Sequence, residues 1–195
     1  MAEKEGTMEP GTIILIILAV VVAGGLLWLI GAYNGFVRLR NSVEEAFSTM
    51  DVYMKKRYDL IPNLVETVKG YASHERETLE NVTKARNIAA DAKTLEERAQ
   101  GETMLTGTLK TLFAVAESYP TLMANQNFLD LQQQLKTVEE DIANSRKYYN
   151  GVVREFNTKI EMFPGNLVAG LFRFVRKPMF EVNAPEEREA VKVDF

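Results

Sequence analysis

The sequence has no cysteine and a single histidine, His74. The first absence excludes disulfides, thiolate metal sites, cysteine nucleophiles and a lipid-modified cysteine anchor. The second excludes histidine-rich metal sites and proton relays. Six prolines and twelve glycines are few for 195 residues, which favours long helices. An excess of positive charge is missing too: 23 Lys and Arg face 27 Asp and Glu, a net charge of -4, which argues against nucleic acid as a partner. His74-Glu75 opens like a zinc-protease helix, but the sequence reads HERET and has no second imidazole one turn on. A carboxylate-bridged metal site needs Glu three residues before a His, and position 71 is Tyr. No glycine-rich phosphate loop, nucleophile elbow or kinase signature is present. The acidic runs Glu44-Glu45, Glu96-Glu97 and Glu139-Glu140-Asp141 read as solvated faces, because sequence neighbours on a helix point in different directions. No catalytic residue, metal or other cofactor is expected.

Charge is also absent from everything between Glu9 and Arg38. Within that stretch Ile13–Ala32 is an apolar run of about 20 residues, or about 30 Å as a helix, the thickness of a hydrocarbon core. A secretory leader would open with a basic segment, whereas MAEKEGTMEP carries three Glu and one Lys. The run therefore reads as an uncleaved single-pass anchor, with Trp28 and Tyr33 suited to an interface belt. Lys4 and the terminal amine precede it; Arg38, Arg40, Lys55, Lys56 and Arg57 follow. That excess places the large domain in the cytoplasm. Lys55-Lys56-Arg57 would stand about 33 Å beyond the membrane on a continuous helix, too far for lipid. It reads as a solvated or intramolecular salt-bridge patch.

Beyond the run the apolar residues follow a helical period. Tyr33, Phe36, Val43, Phe47, Met50, Met54, Ile61, Leu64, Val68 and Tyr71 share one heptad register, interrupted only by Arg40 and Arg57. Pro62 predicts a kink or break near Tyr58–Ile61. Ser73 is a candidate N-cap for a second helix that turns Leu79, Val82, Ala85, Ala89 and Ala92 inward. Thr94 and Glu97 have capping-box spacing for a third, with Leu105, Leu109, Leu112, Ala116 and Tyr119 as its stripe and Pro120 as its end. A fourth pattern runs from about Leu122 to Met162 through Phe128, Leu131, Leu135, Val138, Ile142, Ser145, Tyr149, Val152 and Phe156, and Pro164-Gly165 stops it. The fold class is all-α: a transmembrane helix continuing into an antiparallel four-helix bundle. An extended coiled coil is the competing architecture, against which the turns at Ser73, Lys93-Thr94 and Pro120 argue.

The organisation read from these patterns is a short acidic tail (1–12), the span (13–32), the bundle (33–163), an amphipathic basic and aromatic segment (164–180) and an acidic tail (181–195) that ends in the alternating AVKVDF. The fourth helix should return to the membrane. Leu171, Phe172, Arg173, Phe174, Arg176, Lys177 and Phe180 then suit an anionic membrane surface, or the apolar ones cap the open end of the bundle. Gly24 and Gly25 permit close helix contact in lipid, and Phe36 and Val43 continue that register, so these four are the candidate interface for a homo-oligomer.

RYDLIPNLVETVKGY (Arg57–Tyr71), then HE, AR, YPTLMANQNFLDLQQQL (Tyr119–Leu135), YYN (Tyr148–Asn150) and FNTKIEMFPGNLVAGLF (Phe156–Phe172) resemble the LemA family over most of Tyr33–Glu181. The resemblance implies a membrane-anchored, up-and-down four-helix bundle without established enzymatic activity. It implies bacterial relatives that include proteins of magnetosome-membrane formation and others found beside membrane metalloproteases. Phe47 stands where the pattern expects Trp, and Arg173 where it expects Gly. The expected function is a non-enzymatic membrane scaffold that contacts lipid, assembles with copies of itself or organises a protein partner of unknown identity. The alternative is an adaptor that relays a membrane event to a partner such as a membrane protease.

Overall fold

The computed structural model describes residues 9–181, so the two acidic ends expected at 1–12 and 181–195 lie outside the described residues except for 9–12, of which 10–12 are helical, and 181. Among the described residues there are six helices and no strand: α1 (Pro10–Lys69), α2 (Arg76–Asp91), α3 (Leu95–Ala116), α4 (Pro120–Met123), α5 (Gln126–Glu161) and α6 (Gly165–Leu171). The apolar run forms the first part of α1, and none of its side chains packs inside the protein.

Helix α1 is unbroken through Pro62, which corrects the expected break. Proline in a helix interior costs about 3 kcal/mol or more, but Pro62 lies on the exposed face. Ile61, Leu64 and Val68 around and beyond it are buried. At about 1.5–3 kcal/mol per fully buried side chain, their burial outweighs the break. Phe36, Val43, Met50 and Met54 complete the stripe, with Ala46 and Tyr58 widening it as a true helical period drifts from the heptad.

Two further boundaries differ from expectation. Helix α2 begins at Arg76, and its N-cap is Glu75 without a side-chain cap bond, not Ser73. Pro120 does not merely end α3: it opens the one-turn α4, where its fixed φ and missing N–H suit the first helical position, and α5 starts afresh at Gln126. The Asn125 side chain accepts the Phe128 amide at 3.0 Å and caps that new start. The predicted capping box of α3 is present, with the Thr94 hydroxyl on the Glu97 amide and the Glu97 carboxylate on the Thr94 amide.

The described residues divide into two compact units: one joins residues 9–42 with Glu155–Lys177, the other joins Val43–Arg154 with residues 178–181. In the second unit, contacts run in a consistent order. Phe47 meets Tyr149 and Arg57 meets Glu139, so α1 and α5 are antiparallel. Asp51 meets Arg98 and Arg57 meets Glu102, so α1 and α3 run the same way. Helix α2 returns between them. That is an up-and-down four-helix bundle, with its core on the inward stripes. Helices α2 and α3 approach so closely that a Cβ on Gly101 would sit 2.7 Å from Ala89 Cα.

Candidate functional site

Two places concentrate polar or apolar groups where simple packing would not put them. The first is in the core of the larger unit. Arg57, at a stripe position of α1, is 1% exposed. Its guanidinium donates to Glu102 on α3 and to Glu139 on α5, while the Tyr58 hydroxyl donates to the other Glu102 oxygen. Arg57 Nε is buried without a partner among the described residues. One guanidinium thus serves two carboxylates. Burial pushes the Glu102 carboxyl up, and Glu139 adds to this, against the opposing pull of Arg57 and Tyr58. Burial and the Glu102 charge likewise push the Tyr58 phenol up. Apart from Arg57 Nε, these groups bond one another across three helices, the arrangement of a structural cluster that fixes helix register. No group of three His, Asp or Glu side chains among the described residues is placed to hold a metal ion.

In the basic run the salt-bridge alternative holds for Arg57, which pairs with Glu102 and Glu139, and the solvated-face reading of the third acidic run is corrected at Glu139. Arg57 is buried, unlike its exposed neighbours Lys55 and Lys56, and Glu139 is bonded rather than solely solvated. The cluster's sequence signal was a basic residue inside the apolar stripe, a feature that Arg57 shares with Arg40.

The second place is the end of the smaller unit that adjoins the apolar run. Phe36 stacks on Phe174 at 4.9 Å, and Phe156 stands nearly perpendicular to both rings at 6.3 and 6.4 Å. Tyr33, one residue past the run, lies 4.7 Å from Phe172 and 5.9 Å from Phe174. Aromatic pairs of this geometry add about 0.5–1.5 kcal/mol each beyond their burial. Gly165 lets the α5–α6 turn close, because a Cβ there would meet the Lys159 carbonyl oxygen at 2.5 Å. Asn157 holds Lys177 in place by accepting its amide and donating to its carbonyl, both at 2.9 Å.

Helix α6 ends in a Schellman motif. The Phe174 amide bonds back to the Ala169 carbonyl at 2.9 Å and the Arg173 amide to Gly170 at 3.4 Å. Arg173 occupies the left-handed position of the motif with φ 57°. Glycine is the usual residue there, and a side chain in that region costs about 1–2 kcal/mol.

Of the residues expected to face a membrane, Leu171, Phe172, Arg173 and Arg176 are exposed. Phe174 is half-buried in the aromatic group, and Lys177 is half-buried beside it. Phe180 must be withdrawn from that set: it is 2% exposed in the larger unit, where the Asn150 side chain bonds both its amide and its carbonyl. Of the candidate interface residues, Gly24 and Gly25 are exposed with open space around them. Phe36 and Val43 are buried within the chain, so neither can present itself to a second copy. Met162 and Phe163, at the turn into α6, are exposed apolar residues that the periodicity assigned to the end of a stripe or passed over.

The LemA family model matches residues 46–195, beginning beyond the apolar run. Protein LemA of Metamycoplasma hominis is 28% identical, over 85% of this chain and 74% of its own length. Magnetosome protein MamQ 2 of Paramagnetospirillum magneticum is 23% identical, over 86% of this chain and 71% of its own. Magnetosome protein MamQ of Magnetospirillum gryphiswaldense is 22% identical, over 78% and 65%.

Proposed function

The chain belongs to the LemA family, and from that premise we propose that it is a non-enzymatic scaffold, anchored in a bacterial cell membrane by Ile13–Ala32 and exposing its bundle to the cytoplasm. One observation carries this reading: an apolar stretch with no buried side chain runs without interruption into a bundle helix. With none of its side chains buried, that stretch has no role in a water-soluble core, and about 20 residues match the hydrocarbon thickness. The charged groups of the bundle interior pair with one another, which supports a structural rather than a catalytic use. Relatives named as magnetosome proteins support work at a membrane. The excess of Lys and Arg after the span supports the cytoplasmic orientation. Self-assembly would use the Gly24–Gly25 face in lipid, where small residues let helices approach.

The test is the mass of the full-length protein in nanodiscs and in several detergents, with co-purifying proteins identified. A particle holding more than one copy is expected. A strictly monomeric particle across a wide concentration range would end the self-assembly reading. A monomer that retains a different protein would favour an adaptor, for which the open groove of about 880 Å³ along Val65, Leu79, Thr83 and Ile88 is a candidate surface. Protease added to spheroplasts should spare the bundle; its digestion before permeabilisation would reverse the orientation.

A further inference from the structure

Around the turn from α5 into α6 and just past α6, large apolar side chains stand in solvent: Met162, Phe163 (77% exposed), Leu167, Leu171 (67%) and Val175 (68%). Leu167 and Leu171 are one turn apart on α6, on the face opposite the buried Val168 and Ala169. A cluster of this kind marks a contact surface, and three observations identify what it contacts. It belongs to the same compact unit as the apolar run, and Phe172 meets Tyr33 one residue past the end of that run. The patch is therefore level with the interface of any bilayer that the run spans. Its basic residues are Arg173 and Arg176, with Lys177 beside them, while Glu161 is engaged by Arg176 at 2.9 Å. Finally, Arg173 holds a left-handed conformation that glycine would adopt without strain. A strained residue that brings a cation to an exposed apolar patch points to use of that cation.

We propose that Phe163, Leu167, Leu171 and Val175, with Arg173 and Arg176, seat in an anionic bilayer surface beside the span, so that the chain meets the membrane twice. The apolar side chains enter the boundary between headgroups and acyl chains, and the guanidinium groups bind lipid phosphates. A single helix can tilt and rotate in lipid; a second contact at its base fixes both. This rests on the anchor reading.

The absence of cysteine makes the test direct. Gly24, Gly107 and Gly170 each have open space where a side chain would begin. The full-length Gly24→Cys, Gly107→Cys and Gly170→Cys variants are labelled with an environment-sensitive fluorophore. Each is reconstituted in nanodiscs of phosphatidylcholine alone or mixed with phosphatidylglycerol. Quenching by nitroxide lipids is then compared with quenching by aqueous acrylamide. Position 24 should respond to the lipid quencher in both discs and position 107 to acrylamide in both. Position 170 should pass from acrylamide to the lipid quencher when phosphatidylglycerol is present. Arg173→Gly should lower its docked-to-free ratio about fivefold, with the helix content unchanged. Acrylamide quenching at 170 equal to that at 107 in anionic discs, or an undiminished ratio in Arg173→Gly, would overturn the proposal. Failure of lipid quenching at 24 would instead overturn the anchor reading itself.

Discussion

The main-chain carbonyl of Tyr58 accepts a hydrogen bond from Arg86 Nε at 3.1 Å. Pro62 stands four residues on and has no N–H to offer that carbonyl, so a side chain from α2 replaces the missing helical bond. The relationship explains how a long helix passes through proline. Arg86→Met should destabilise the protein by about 1–3 kcal/mol, by leaving the carbonyl unpaired in a partly buried place. In a Pro62→Ala background, where the helical N–H returns, the same change should cost measurably less. Thermal unfolding of the four proteins of this cycle gives the coupling directly. Equal costs in both backgrounds would separate Arg86 from the proline.

The Arg57 cluster makes opposite predictions for single and double changes. Arg57→Met leaves Glu102 buried without its cation and should cost about 3–5 kcal/mol. Combining it with Glu102→Leu should recover most of that loss, because the Tyr58 hydroxyl still has the Ala89 carbonyl 3.4 Å away. Circular-dichroism melting of the single and double variants decides it. A double variant no more stable than Arg57→Met would show that the cluster holds the helices by more than charge balance.

The same carboxyl gives a pH signature. The folded state raises the Glu102 pKa and so binds its proton more tightly than the unfolded chain. Its contribution is fully present below the ordinary carboxylate pKa and is lost as pH rises through the raised value. Glu97 behaves in the opposite way, because the Lys93 and Thr94 amides lower its pKa; its contribution is lost as pH falls through that lowered value. The stability of Glu102→Gln relative to the parent should therefore increase as pH rises from the acid range. A difference independent of pH, in melts taken at several pH values, would refute the upward shift.

Two glycines of α3 should respond with opposite sign to the same substitution. Gly101→Ala would press a methyl group onto the backbone of Ala89 and force α2 and α3 apart, at about 1–3 kcal/mol. Gly107 is exposed with open space around it, and Gly107→Ala should stabilise α3 by about 1 kcal/mol. Melting temperatures that moved in the same direction would contradict the close packing of α2 on α3.

What could be read in advance follows the range of the forces involved. The α1 stripe and the Thr94–Glu97 cap are set by residues within a turn or two of each other, and the chain displays both openly. Arg57 also stood out, with Arg40, as a basic entry in an apolar stripe, but its partners lie 45 and 82 residues away and no local pattern names them. The break expected at Pro62 failed for the same reason: the group that compensates it comes from another helix. Phe36 and Val43 show a second limit. A heptad specifies a buried face without saying whether the same chain or another copy covers it. Phe180 had the composition of a membrane-facing residue, and Asn150, 30 residues earlier, draws it inward. Arg173 is the opposite case, since the resemblance expected glycine at the one non-glycine residue with a positive φ among those described.

That position carries the last prediction, which is independent of lipid. Arg173 ends α6 in the left-handed region, where its Cβ crowds the following carbonyl. The Phe174 and Arg173 amides that complete the motif bond to backbone carbonyls and do not involve the guanidinium. Glycine can therefore keep both bonds while relieving the crowding. Its greater freedom in the unfolded chain opposes part of the gain. Arg173→Gly should raise stability in neutral detergent by up to about 1 kcal/mol. Arg173→Ala, which keeps the Cβ and loses the charge, should not raise it. If Arg173→Ala stabilised the protein as much as Arg173→Gly, repulsion among the neighbouring cations, not backbone strain, would be the source. If neither did, the positive φ would carry no measurable strain, and the case for a cation retained against its conformational preference would fall with it.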